Sequence, residues 1–340
     1  MNNQSGIAII GCGYWGINYV RVFNELSQTQ VVAACDQNPE RLQEVGRRFP
    51  GVALTTDVAE VLSRDDIDAV VVATPATTHY EVAHACLTAG KHVLVEKPIT
   101  IKAANAKDLV NLAEAKGLTL MVGHVFLYNA GVRKVKDCLN QDEGTRVYYL
   151  YSRRTNLGPI RHDVNALWDL APHDVSIFNY LLDSTPSWVS AIGSKVLRNH
   201  REDVGFISLG YQDSVVGHIH VSWADPNKVR EVVVVSNDMR IVFDDVKNIE
   251  QVRIFEKGIA SEEIEAPSYG EFRFRIHDGD IISPRIEASE PLKSQCLHFI
   301  ECFTQNKHPL TDGQSGLEVV QVMEAIDRSL AQNGAPVQVR

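Results

Sequence analysis

The chain opens with short, unbroken apolar runs separated by stretches of helical period. Residues 6–10, 31–35, 69–73, 92–95 and 118–122 are too short for helices and read as buried strands. Helical spacing falls on residues 14–26, 39–49, 57–63, 79–89 and 103–116, with Gly90 closing the fourth of these. Strand and helix alternating in this order predict a parallel, doubly wound sheet. After Gly123 the pattern changes. A connecting helix is expected at 132–139, then strand-like runs at 146–151, 187–192, 206–211, 215–221, 230–235, 240–243 and 251–255. These predict a large, open, mainly antiparallel sheet, interrupted by one helical insert at 166–182. Residues 258–290 are mixed and polar and read as a long loop region. Two helices, 291–304 and 316–332, close the chain. The expected class is α/β, with a dinucleotide-type domain at 1–123 and a substrate and oligomerisation domain at 124–340, the last helices free to pack back on the first.

Composition narrows the range of functions. A chain of 340 residues supports two domains, and 44% hydrophobic with 22% charged residues is ordinary for a folded globular protein. A net charge of −10 argues against nucleic acid or an anionic membrane as the main partner. The first apolar run is short and no cationic segment precedes it, so neither a signal peptide nor a membrane span is expected. The six cysteines are scattered without a CxxC, which fits reduced core thiols in a cytoplasmic protein. No metal-ligand spacing is present.

The first candidate site is Gly11-Cys12-Gly13-Tyr14-Trp15-Gly16, placed between a strand and a helix. Gly11 allows the tight turn, Gly13 lets the backbone approach a pyrophosphate, and Gly16 lets the helix pack closely. Asp36 ends the second strand twenty residues beyond Gly16, where an acid accepts from the ribose hydroxyls and repels a 2′-phosphate. Gln37 follows it with no arginine alongside, so NAD is expected over NADP. Thr74-Pro75 and Glu96-Lys97-Pro98 end two further strands, the edge of an open α/β sheet where ligands bind, and His79 begins the helix after the first of them. Lysine at such an edge can carry a proton, because burial lowers its pKa readily. The plainer reading of Glu96-Lys97 is a surface ion pair.

A second constellation lies in the insert, Asn165-Ala-Leu-Trp168-Asp169-Leu-Ala-Pro172-His173. Asp169 and His173 are four apart and share a helix face, where the acid can fix the tautomer of the imidazole. Pro172 is expected to start or kink the helix. Arg153, Arg154 and Arg161, with Asn156 between them, suit a diphosphate through their guanidinium forks, or else pair with neighbouring acids. His124, Tyr128 and Asn129 open the second domain and are candidates to line the cleft; for His124 the reading preferred is a satisfied core histidine.

Taken together, the GCGYWG turn, the segment ATPATTHYEVAHACLTAGKHVLVEKP at 73–98 and the pair Asp169 and His173 resemble the Gfo/Idh/MocA family of nicotinamide-dependent oxidoreductases over nearly the whole chain. The resemblance implies that Lys97 is catalytic and that Asp169 and His173 match the acid and histidine of the family's D-x-G-x-H-x-x-D motif. Ala171 replaces its glycine and Ser176 its last aspartate, which puts in doubt the substrates of members with the full motif. The segments SRRTNLGPIR and NALWDLAPHD are similar to nucleotide-sugar 3-dehydrogenases of the UDP-N-acetylglucosamine type. The resemblance thus implies reversible oxidation of a secondary sugar hydroxyl, with His173 or Lys97 taking the proton and Asp169 orienting them. The alternatives are an NAD-dependent glycosidase of the same family, a dehydrogenase or ketoreductase for a free sugar, cyclitol or other nucleotide sugar, and a non-catalytic NAD-responsive dimer. The apolar run at 232–235 suggests pairing between subunits, as a homodimer or homotetramer.

Overall fold

The computed structural model describes residues 4–158, 160, 161, 163–197, 200–247, 249–260 and 275–340. The chain divides into two compact units, Met1–Tyr128 with Ser289–Gln321, and Asn129–Ala288 with Val322–Arg340. Tyr128 packs into the core of the first unit with Leu292, Cys296 and Phe299.

The first unit holds a six-stranded sheet in the order β3-β2-β1-β4-β5-β6. Its strands are β1 (Ser5–Ile10), β2 (Thr29–Cys35), β3 (Ala53–Thr55), β4 (Ala69–Val72), β5 (His92–Val95) and β6 (Leu120–Val122), all paired in parallel. Between them run α1 (Tyr14–Glu25), α2 (Pro39–Arg48), α3 (Val58–Leu62), α4 (His79–Thr88) and α5 (Ala103–Lys116). Every residue of β4 is buried, as an apolar run covered by helices on both faces requires. Helix α2 starts where Asn38 accepts from the amide of Glu40 and Pro39 occupies the first turn. Asp57 caps α3 from outside, accepting from Ala59 at 2.8 Å. The strand order reverses between β1 and β4, and a crevice at such a point takes a dinucleotide.

The second unit carries a nine-stranded sheet in the order β14-β13-β12-β11-β7-β10-β9-β8-β15. These are β7 (Val147–Leu157), β8 (Trp188–Ser194), β9 (Val204–Gly210), β10 (Val216–Ser222), β11 (Ala224–Ser236), β12 (Arg240–Asp244), β13 (Val252–Ala260), β14 (Arg275–Ile282) and β15 (Val337–Gln338). Among the described residues only β7 and β10 pair in parallel in this sheet. Helices α6 (Ala130–Leu139) and α7 (Ala166–Leu182) cover one face. Glycines make the room: a Cβ at Gly131 would stand 2.6 Å from the Phe243 ring, and one at Gly205 2.6 Å from Leu167. The opposite face presents two exposed cross-strand pairs, Tyr149 beside Val216 and Phe206 beside Ile192.

Helices α8 (Pro291–Gln305) and α9 (Gly313–Ala331) end the chain, and α8 packs on α1 inside the first unit. Three expectations are corrected. Residues 258–290 are not one loop: β13 runs to Ala260 and β14 starts at Arg275, an edge strand whose Gly279–Ile282 end is exposed and therefore lacks the apolar alternation of a covered strand; residues 261–274 lie outside the described residues. β7 continues to Leu157, beyond the end at 151 expected for this strand. Pro172 neither starts nor breaks α7, whose N-terminus is set by Asn165 accepting from Trp168 at 3.0 Å. All six cysteines are free and buried.

Candidate active site

The turn after β1 is shaped for close backbone approach. Gly11 has φ +92°, and a Cβ there would stand 2.6 Å from the backbone of Ala73. A Cβ on Gly16 would stand 1.8 Å from the Gly11 carbonyl, so only glycine lets α1 start here. Gly13 is different: the space over it is open, with nothing nearer than an Arg41 nitrogen at 3.8 Å. Gly13 also caps α1 without a side chain, leaving the first amides of the helix for a ligand. Tyr14 is 80% exposed and Trp15 40%, stacked edge to face at the head of α1. This cradle fits the diphosphate of a dinucleotide.

Asp36 stands at the end of β2. Its carboxylate accepts from the Cys12 amide at 2.6 Å and from the Asn38 amide at 2.8 Å. The expectation that no arginine flanks it is overturned: Arg41, in the first turn of α2, reaches the same carboxylate at 3.5 Å. The two residues are five apart, and the turn at Asn38-Pro39 folds the helix back over the acid.

The ends of β4 and β5 are tied together by His79, whose ring nitrogens lie 2.9 Å from the Thr74 carbonyl and 2.8 Å from the Pro98 carbonyl. His79 is buried, so it shapes this edge from beneath. Pro75 ends the same strand and leads into a short helical turn at Ala76–Thr78, fixed by Thr78 donating to Thr74 at 2.9 Å. Glu96 is buried, accepting from the Tyr19 hydroxyl at 2.7 Å and from the Lys97 amide at 3.2 Å. Gln295 of α8 donates to the same hydroxyl at 2.9 Å. Lys97 is half-buried at the end of β5.

His124 follows β6 and is 1% exposed, yet neither ring nitrogen has a hydrogen-bond partner among the described residues. It is therefore not the satisfied core histidine expected. Burial, and then the charge of Lys97, hold its pKa down to about 3, so the ring is neutral and offers one donor and one acceptor. Tyr128 and Asn129 have structural duties. Tyr128 bonds His298 at 3.0 Å inside the first core, and Asn129 caps α6 through Gly131 and donates to Asp245 at 3.0 Å.

In the second unit, Asp169 and His173 lie one turn apart on α7. The Asp169 carboxylate accepts from Arg161 at 3.2 Å and from the Trp223 indole at 3.2 Å. Arg161 also forks onto Asp163, at 2.9 and 2.5 Å, and holds that carboxyl below its ordinary range. Trp168 donates to Asp327, and Asn165 to Glu202 at 2.9 Å. Asn156 bonds the Gly158 carbonyl. Ser176, where the resembling family has aspartate, donates to the His173 carbonyl at 2.8 Å. The alternation of β7 sends Arg153 and Arg154 to opposite faces: Arg153 is exposed, whereas Arg154 is buried on Asp174. The three-arginine diphosphate cluster therefore does not form as expected. Trp223, Asp174 and Arg41 have no motif of their own; only the position of Asp174 beside His173 signalled it. Among the described residues no His, Cys, Asp or Glu group could hold a metal ion, and no helix is long and apolar enough to cross a membrane.

Comparison with known proteins gives two matches that together span most of the chain. Residues 5–124 match the GFO_IDH_MocA oxidoreductase family with an NAD-binding Rossmann fold, and residues 132–242 match the GFO/IDH/MocA C-terminal domain. The chain is 31% identical over 182 residues to 4-carboxy-2-hydroxymuconate-6-semialdehyde dehydrogenase from Sphingobium sp., covering 51% of this chain and 58% of that protein. It is 24% identical to D-apiose dehydrogenase from Paraburkholderia graminis, covering 98% and 89%. In structure it is similar to UDP-N-acetylglucosamine 3-dehydrogenase from Acidithiobacillus ferrooxidans, with a TM-score of 0.83, 20% identity, and 97% and 99% of the two chains covered, a likeness of fold.

Proposed function

Because this chain belongs to the Gfo/Idh/MocA family of oxidoreductases with an NAD-binding Rossmann fold, we propose that it oxidises, reversibly, a secondary hydroxyl of a sugar. The proposed substrate is a nucleotide-activated sugar of the UDP-N-acetylglucosamine kind, oxidised at C3 to a keto sugar. The observation that carries the catalytic part is Asp169 and His173 on one face of α7, with the Asp169 carboxylate fixed by Arg161 and Trp223. NAD held at the glycine turn would supply the hydride acceptor for the oxidation and the hydride donor for its reverse.

The residues of the chain handle the rest. Gly13 and the uncapped head of α1 receive the diphosphate, and Asp36 accepts from the adenosine ribose. His173 takes the hydroxyl proton, Asp169 keeps its ring oriented, and the Lys97 ammonium stabilises the alkoxide that develops. The alternative assignment has Lys97, in its neutral form, take the proton in place of His173. His124 is neutral and both its nitrogens are buried, so it makes no direct contact with the sugar. With Arg154 committed to Asp174 and Arg161 to Asp163 and Asp169, the arginines lend no support to the diphosphate part of this reading, which rests on the resemblance alone. The exposed face of the nine-stranded sheet pairs with a second copy of the chain.

The test is a panel of nucleotide sugars, free sugars and cyclitols with NAD, read as absorbance of the reduced cofactor. An aminotransferase coupled to the reaction drains a 3-keto product that does not accumulate. Turnover on nucleotide sugars alone supports the reading. Turnover on free sugars or cyclitols alone refutes the substrate class, and sugar release without net reduced cofactor refutes the reaction.

A further inference from the structure

The acid expected to exclude a 2′-phosphate does not stand alone. Both Asp36 oxygens are engaged by backbone amides, Cys12 on one and Asn38 on the other, so the carboxylate is a fixed part of the turn. Its solvent side meets Arg41 at 3.5 Å. The Arg41 side chain is 53% exposed, and one of its nitrogens stands 3.8 Å from where a Cβ on Gly13 would be. The guanidinium thus borders both places a dinucleotide would touch, the open glycine and the ribose acid.

We propose that Arg41 is a specificity-determining residue that lets this site take NADP as a second cofactor, by offering its guanidinium to the 2′-phosphate. This rests on the dinucleotide reading of the turn and is independent of which sugar is oxidised. An isolated Asp36 would present one negative charge to the phosphate; with Arg41 beside it the local sum is zero. A ribose 2′-hydroxyl bonded to Asp36 brings its oxygen to the edge of the carboxylate, and in NADP that oxygen bears the phosphate. Guanidinium matches phosphate oxygens in a planar fork, with five N–H donors of which the Asp36 contact engages one. Of the nearby acids of α2, Glu44 does not cancel it, being drawn to Arg47 and Arg48 at 2.5 and 3.9 Å. NAD stays the tighter ligand, because Asp36 accepts from a hydroxyl and gains nothing from a phosphate.

Calorimetric titration of the purified chain with NAD and with NADP, without sugar, tests this directly. NADP should bind measurably, and Arg41→Ala should weaken NADP about tenfold, the usual effect of losing a hydrogen bond to a charged group. NAD affinity should change by less than about threefold, within the small effect of an exposed ion pair. Arg41→Lys should restore part of the NADP affinity, since it keeps the charge without the fork. Adenosine 2′,5′-bisphosphate should lose affinity with Arg41→Ala while 5′-AMP does not. Equal losses for NAD and NADP, or no loss for either, would overturn the assignment, as would failure of NADP to bind at all. If NAD itself does not bind, the dinucleotide reading of the turn fails and takes this inference with it. Arg41 is exposed and its removal leaves the Asp36 contacts to Cys12 and Asn38 in place, so the variant is expected to fold.

Discussion

Arg154 and Asp174 form a buried, two-pronged ion pair: the Arg154 Nε donates to Asp174 Oδ2 at 2.8 Å and its Nη2 to Oδ1 at 3.0 Å. Side chains from β7 and α7 are thereby locked one residue away from His173. The pair makes Arg154 a structural group. Arg154→Ala should destabilise the second unit by about 3–5 kcal/mol, because it strands a buried carboxylate. Urea denaturation measures this. A variant as stable as wild type, with only a raised KM for the sugar, would return Arg154 to the substrate site.

Lys97→Met and His173→Ala should each lower kcat by about 10²–10⁴, the usual contribution of a general acid or base. NAD should still bind, since Gly13 and Asp36 supply that affinity independently. The double variant should lose less than the product of the two single losses if both serve one proton. Retention of more than about a tenth of kcat in both single variants would place the base elsewhere.

Trp223→Phe keeps the ring and removes the indole donor from Asp169. A fall in kcat of about tenfold is expected, from the loss of one hydrogen bond to a charged group, with NAD affinity unchanged. Steady-state kinetics beside a cofactor titration separate the two effects. Unchanged kcat would show that Arg161 alone suffices to hold Asp169.

Acid should destabilise the first unit through His124. Its folded pKa is held down to about 3 against an ordinary 6.5, so between those values the unfolded chain binds a proton that the folded chain does not. Stability contributed by the neutral ring is present above pH 6.5 and is lost as pH falls toward 3. Between pH 7 and pH 5 the loss is about 2 kcal/mol. Denaturation curves of wild type and His124→Gln at the two pH values compare the slopes. The same slope in both would rule out His124 as its source.

The open face of the nine-stranded sheet should be buried in solution. Light scattering should give at least twice the 37.8 kDa chain mass, and Phe206→Asp with Val216→Glu should shift the mass toward one chain. A wild-type monomer at micromolar concentration would count against the pairing.

The first unit was legible because its signals are local. Short apolar runs became β1, β2, β4, β5 and β6, and the glycine spacing fell between a strand and a helix as required. In the second unit, Asn165 and the helical period gave α7 its observed limits, 166 to 182. What escaped depends on alternation and on folding back. Arg153 and Arg154 look equivalent until β7 is known to reach Leu157; a strand then separates them to opposite faces. Arg41 looks remote from Asp36 because a turn, invisible to pattern, intervenes. Pro172 reads as a helix start or kink, yet Asn165 has already set the start six residues before Ala171, and one missing amide inside a well-packed helix does not end it.

The buried cysteines supply a built-in clock for local opening. Cys12, Cys35, Cys86, Cys296 and Cys302 fall in the first unit and Cys138 in the second. Burial pushes the thiols of Cys12 and Cys86 up to about 12 and those of Cys35 and Cys302 to about 11, so in the closed chain they are poor nucleophiles. A thiol reagent therefore marks each position only while its surroundings are open, and the labelling rate converts to a free energy of that opening. Because the six positions are spread over both units, one peptide map can rank their breathing separately. Cys12 lies inside the dinucleotide turn itself, so its protection on adding cofactor becomes a gauge of occupancy that needs no turnover.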